Sequence, residues 1–243
     1  MRSLLGALML MSVSGLAFAE QFIERESRYE INWTTGKVRF YGVGKLDEGE
    51  DSLRAAEQRA WADGLRSAEK NIPILLSSRL GSVDQSNPEK LSKLAASTIS
   101  FATTYFADNR VKVQLEAPIQ KITPQLVNTQ ATPVALIATS PSSAGLVIKL
   151  AKGAKPTAFS QVIDEHGREM VSAKALAAAV HSGAPLVRWF RNDIAAGDLA
   201  PSADSPVISG TSERRGVIKV ASSEWKPAYE AAFASGRAAV VVK

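Results

Sequence analysis

Gly42 and Gly44 come nearest to a chemical motif in this chain, within the stretch RFYGVGKLDEGEDSLRAAEQRAWADGL from Arg39 to Leu65. An apolar run, two close glycines and a helical pattern stand in the order in which many proteins hold a phosphate. The details argue against it. A P-loop needs Ser or Thr after its Gly-Lys pair, so that a hydroxyl can meet magnesium. Here Gly44-Lys45 is followed by Leu46, and Arg39 occupies the upstream glycine position. A dinucleotide fingerprint needs a third glycine where Asp47 stands. Asp47, Glu48, Glu50 and Asp51 crowd the loop, and carboxylates at low dielectric repel a phosphate. The glycines are read as a turn.

Other chemistries find less. No cysteine occurs, which removes thiolate metal sites, cysteine nucleophiles and disulfides together. The only histidines are His166 and His181, and no H-E-x-x-H spacing offers zinc its ligands. No G-x-S-x-G elbow appears, and ISGTSE lacks the strand-to-helix setting that exposes a nucleophile. A Ser-His-Asp triad stays open, because its members are distant in a chain. The acids from Asp47 to Asp51 lack the spaced D-x-D-x-D-G loop of a calcium site and read as a helix-capping turn. No catalytic residue, cofactor or metal site is expected, so the chain reads as a binding or structural protein and not an enzyme. Trp33, Trp61, Trp189 and Trp225 suit core positions or a sugar-stacking platform. For the latter, Trp189 with Arg188 and Arg191 offers stacking and carboxylate contacts.

The N-terminus is more specific. Arg2, the apolar run Leu4 to Leu16 and Ala17-Phe18-Ala19 are the parts of a secretory signal peptide, with Ala17 and Ala19 marking the cleavage site. The apolar run is short for a membrane span, which needs about 20 residues. Removing 19 of 243 residues leaves a chain of 224 that begins at Glu20, with no cysteine there for a lipid anchor. A soluble periplasmic protein is expected, with no later transmembrane span. Removing Arg2 leaves 28 basic against 24 acidic residues, scattered along the chain without a dense basic block. Nucleic acid is therefore not an expected partner. An apolar fraction of 45% with 22% charged residues is ordinary for a globular core.

These residues need elements to hold them. Alternation predicts a strand from Lys37 to Val43. Asp51 and Ser52 offer caps to a helix from Leu53, whose stripe Ala56, Ala60, Gly64, Ala68 is small enough to lie directly on a sheet. Asp63 pairs on paper with Arg59 and Arg66 along the helix's solvent side. A kink follows at Pro73, then a helix over about 89–106 and a strand over 110–119. The Thr-, Pro- and Ser-rich segment 123–143 reads as a linker. Beyond it come a strand at AGLVIKLA, a hairpin turning at Asp164 to Gly167, a helix over 173–181 and a strand at PLVRWF. A loop-rich stretch to Gly216, a strand GVIKV, a helix over 224–235 and a last strand RAAVVVK complete the chain. The expected fold is α+β: two small mixed subdomains, 20–122 and 144–243, each with helices packed on one face of a sheet, after a leader of residues 1–19.

Two stretches resemble a family of bacterial envelope proteins, the LPP-twenty-type outer-membrane lipoproteins and their flagellar accessory relatives FlgP and the N-terminal part of FlgT. One is Gly42-Val43-Gly44, its acidic spacer, the alanine-rich helix with Ala55, Ala56, Ala60 and Ala68, and NIPILL. The other is AGLVIKLAKGAKPTAFSQVIDEHGREMV, Ala144 to Val171. The resemblance implies a non-lipidated exported form with a non-catalytic structural or assembly role, in some members around the flagellar motor. Partners would then be envelope or flagellar proteins, or the chain itself. Val240 and Val241 in the last strand are candidate partner-binding residues, because a terminal edge strand can pair with a neighbour's sheet. The alternative is a glycan- or peptidoglycan-binding module centred on Trp189.

Overall fold

A computed structural model describes residues 20–49, 52–75, 99–119, 121–122, 145–157, 160–172, 187–191 and 205–243. Ala17, Ala19, the linker 123–143 and the expected helix 173–181 lie outside the described residues. The elements run β1 (Glu20–Gln21), β2 (Ile23–Arg25), β3 (Tyr29–Asn32), β4 (Lys37–Lys45), α1 (Leu53–Leu75), β5 (Ile99–Tyr105) and β6 (Arg110–Pro118). They continue as β7 (Leu146–Leu150), β8 (Gln161–Ile163), β9 (Arg188–Arg191), β10 (Val207–Arg214), β11 (Val217–Val220), a 3₁₀ turn (Ser222–Glu224), α2 (Ala228–Ala234) and β12 (Ala238–Val242).

Two sheets result, one of five strands in the order β2-β3-β4-β6-β5 and one of seven in the order β1-β9-β12-β7-β10-β11-β8. The fold is mainly β, with two α-helices among the described residues. This corrects the expected α+β organisation with helices on a sheet face in each half. Two misread segments account for much of the difference. The C-terminal part of the expected helix 89–106 is β5, where Ile99, Phe101, Thr103, Thr104 and Tyr105 suit a pleated surface better than a helix. The supposed loop before Gly216 contains β10, closed onto β11 by a tight turn at Arg215-Gly216.

The five-stranded sheet is antiparallel, and its central strand β4 alternates strictly. Val38, Phe40, Gly42 and Gly44 of β4 are buried on one face, with Lys37, Arg39, Tyr41, Val43 and Lys45 on the other. β4 and β6 pair over nine residues, from Lys37 opposite Pro118 to Lys45 opposite Arg110. Helix α1 lies on the apolar face, its first turn capped by the Ser52 hydroxyl, which accepts the Arg54 N–H at 3.2 Å. Gly42 and Gly44 are not a turn. They lie within β4, and an added Cβ would stand 1.9 Å from the Ala60 carbonyl oxygen and 2.0 Å from that of Ala56. Helix and strand meet backbone to backbone, so glycine is required by contact and not by φ.

β3 begins at Tyr29 opposite Phe40, which leaves the upper edge of β4 to α1. The Val43 N–H donates to Asp63 Oδ2 at 2.9 Å, and Arg59 Nε donates to the Lys45 carbonyl at 3.0 Å. Asp63 also takes Arg28 at 2.6 Å. The carboxylate thus serves a strand edge rather than the expected pairs along its own helix.

The seven-stranded sheet is built differently. β12 runs parallel to β9 on one side and to β7 on the other, and all five of its residues are buried. Parallel strands covered on both faces read as continuous apolar runs, here AAVVV and LVIKL. The C-terminal strand is therefore central, not an edge. β1 continues the sheet by pairing Glu20 with Arg191 and Gln21 with Phe190, so the chain passes from the seven-stranded sheet to the five-stranded one at Phe22.

Candidate functional site

The residues nominated by sequence do not converge on a binding site. Trp189 is fully buried. Its indole N–H donates to the Thr157 carbonyl at 3.1 Å, and its ring meets Phe22 edge-on at 6.2 Å. The Thr34 hydroxyl donates to the Trp189 carbonyl at 2.5 Å while accepting the Phe22 N–H at 2.8 Å, so Trp189 sits in the seam between the sheets. Arg188 and Arg191 are three apart on β9 and project from opposite faces. Arg191 lies over the Phe22 ring at 4.9 Å. Val240 and Val241 are buried on opposite sides of β12 and present nothing to a partner.

Polar groups elsewhere are structural. Arg215 bridges the sheets, donating to Glu24 at 2.6 Å, and the Trp33 indole donates to the same carboxylate at 3.1 Å. In the turn at 164–168, Gly167 adopts φ +80°, as its place in a hairpin requires. Burial pushes the Asp164 carboxyl upward, but donors from Arg168 and His166 outweigh it and hold the group below its ordinary range. Glu165 is held at about 2 by the Ser222 hydroxyl and N–H, which donate at 2.5 and 2.8 Å. Among the described residues, no group of three His, Asp or Glu is placed to hold a metal, and no helix is long and apolar enough to cross a membrane.

What stands out is one end of the five-stranded sheet. Of the five exposed large apolar side chains among the described residues, Val43, Leu53, Tyr105 and Phe106 gather there, each 41–53% exposed. The topology explains the gathering. Leu53 opens α1 one turn before Ala56, which rests on Gly44. Tyr105 closes β5 opposite Val111 and donates its hydroxyl to Glu57. Phe106 begins the turn into β6, where its N–H meets the Arg110 carbonyl and Asn109 takes a left-handed φ of +61°. Val43 faces outward opposite Lys112. Cations stand among them: Arg110 lies 5.3 Å from the Phe106 ring and Lys112 lies 4.4 Å from the Tyr41 ring.

Below this rim the outer face is a ladder of charge across four strands. Glu116 of β6 accepts from Lys37 at 2.9 Å and Arg39 at 2.8 Å, and Glu30 of β3 takes Arg25 at 2.8 Å and Arg39 at 3.4 Å. Burial raises the Glu116 carboxyl, and the two cationic donors bring it below its ordinary value. Sequence reasoning missed the rim because it placed Tyr105 and Phe106 at a helix end. The signal available was Asp108-Asn109, a turn pair between two β-rich runs. No protein-family model matches the chain, and no curated protein sequence matches it.

Proposed function

We propose that the chain is an exported, non-catalytic assembly or structural factor of a bacterial envelope that acts through protein contacts at the hairpin end of the five-stranded sheet. One observation carries the reading: four of the five exposed large apolar side chains among the described residues lie at that end, Val43 on the outer face and Leu53 and Tyr105 on the helix side, with Phe106 in the turn between β5 and β6. Scattered single apolar residues need no explanation, whereas gathered ones mark contact surfaces. The leader pattern with Ala17 and Ala19 supports export to the periplasm. The resemblance of the stretch from Gly42 through NIPILL and of Ala144 to Val171 to LPP-twenty-type and flagellar accessory proteins supports an envelope role and extends the proposal to the flagellum. Burial of Trp189 removes the basis for the glycan-binding alternative at that residue.

A photo-crosslinking residue at position 106, expressed in the native host, tests the reading. A discrete adduct from position 106, and none from the exposed position 207 on the other sheet, is expected. Equal adducts from both positions, or none from either, would overturn it. Mass spectrometry of purified flagellar basal bodies beside the free periplasmic fraction decides the flagellar part: depletion from basal bodies sinks it.

A further inference from the structure

The outer face of the five-stranded sheet has one half that neutralises itself and one half that does not. In the lower half, the carboxylate of Glu116 sits between Lys37 and Arg39, and its side chain is only 6% exposed while that of Lys37 is 51% exposed. The acid lies beneath the cations that clamp it. In the upper half the same two strands carry Lys45 opposite Arg110 and Lys112 opposite Val43, with no acid on either strand. Carboxylates nearby stand off the two strands: Asp63 of α1 takes the Val43 N–H and Arg28, Asp108 holds Arg110 Nε at 2.6 Å, and Asp47 holds Arg59 at 3.3 Å.

We propose that this upper half takes a carboxylate-bearing extended segment of a partner protein, its acids on Lys45 and Lys112 and an apolar residue on Val43. The partner repeats from outside the clamp that Glu116 forms from within. The inference rests on the reading of this end as a protein-contact surface and names the chemistry of the partner. Lys45 and Lys112 are diagonal neighbours across the β4–β6 pair, about 7–8 Å apart, close to the roughly 6.6 Å between alternate side chains of an extended chain. A glycan would need a free aromatic face to stack on, and the Tyr41 ring is covered by the Lys112 ammonium; a nucleic acid would need a denser basic patch for its phosphates than these few cations. A membrane would need a broad apolar face, and here Val43 stands between Lys45 and Lys112. Tyr105 belongs instead to the helix side, where it meets Glu57.

Fluorescence anisotropy with a labelled extended peptide that presents glutamate and leucine on one face, with serine at the intervening positions, tests this in the full processed chain. Binding that weakens with salt is expected, with a loss of roughly tenfold or more in the Lys45→Glu/Lys112→Glu variant. A smaller loss is expected in the Lys45→Gln/Lys112→Gln variant, and none in Lys226→Glu, between the 3₁₀ turn and α2. Far-UV circular dichroism and Tm establish that each variant is folded. Absence of binding, or binding indifferent to the double substitution, overturns the proposal. Equal or tighter retention of oligothymidylate or of phosphatidylglycerol vesicles through the same lysines also overturns it, in favour of a general polyanion surface. A crosslink from position 106 that persists when the peptide fails to bind leaves the protein-contact reading standing and removes only the acidic partner.

Discussion

β4 and β12 are both central strands, yet they are filled in opposite ways. β4 has one buried face, and at Gly42 and Gly44 that face carries no side chain because the backbone of α1 occupies the space. β12 has two buried faces, and every position carries a side chain: Ala238, Ala239, Val240, Val241 and Val242. In the first, close approach is specified by what is missing. In the second, cohesion comes from apolar surface, at roughly 1.5–3 kcal/mol for each fully buried valine. The two strands should therefore fail differently: β12 should tolerate loss of volume and reject charge, whereas β4 should reject even one carbon.

The largest effect is expected at β12. Val240 is fully buried, so Val240→Asp buries a carboxylate with no partner and costs about 5 kcal/mol or more. The expected outcome is a chain that is degraded or insoluble. Val240→Ala removes two carbons and costs about 2 kcal/mol, leaving the cooperative transition intact in urea. Native-like stability of Val240→Asp would break the two-faced description of the strand.

Next is Gly44→Ala, which adds a single carbon against the Ala56 carbonyl and the Ala60 nitrogen, 2.0 and 2.7 Å away. Neither atom can rotate aside, so α1 must lift from the sheet at a cost of at least about 3 kcal/mol. Urea unfolding should show Gly44→Ala to be more damaging than Val240→Ala, although it adds matter instead of removing it. The reverse order would mean that the helix slides easily on β4.

This contrast also sorts what the sequence made legible. The small stripe Ala56, Ala60, Gly64, Ala68 correctly announced a helix lying on a sheet, because a period of 3.6 and small size are local properties. The strand at Lys37, the strand at Arg110 and the turn at Gly167 were legible for the same reason. The position of β12 was not, since a last strand becomes central only through parallel partners that lie far off in the chain, β7 and β9. Trp189 and Arg191 posed the same problem: their common fate in the seam depends on Phe22 and Thr34, more than 150 residues away. The candidate rim depended on β5, which alanine-rich neighbours disguised as helix, and the clamp around Glu116 depended on cross-strand register.

That clamp gives a smaller effect on the five-stranded sheet. Glu116→Gln leaves Lys37 and Arg39 without their charge partner, but Lys37 is half exposed and water compensates. A loss of about 1–2 kcal/mol is expected after that screening. Because the folded carboxyl lies below its ordinary value of 4.5, its contribution is present above that pH and fades as acid protonates it. Glu116→Gln should therefore flatten part of the acid limb of the stability curve. An unchanged limb would show that the ladder only decorates the face.

The smallest effect belongs to the seven-stranded side, at Glu165. Its carboxylate joins the hairpin at 164–168 to the 3₁₀ turn at Ser222 through two donors. The Ser222 hydroxyl is the chief cause that lowers the group from 4.5 to about 2. The sign follows from the depressed folded value: the stabilisation is complete above about pH 4.5 and is lost as pH falls through about 2. Carboxyl titration by NMR should find Glu165 still ionised at pH 3, and Ser222→Ala should move its midpoint upward toward the ordinary range. In Glu165→Gln, Tm should fall slightly at neutral pH and converge with that of the parent below pH 2. A Glu165 midpoint near 4.5 in the parent would mean that the hairpin and the 3₁₀ turn separate in solution. The contrast between the sheets would then extend to their polar contacts, with the charge ladder firm on one and the Glu165 tether loose on the other.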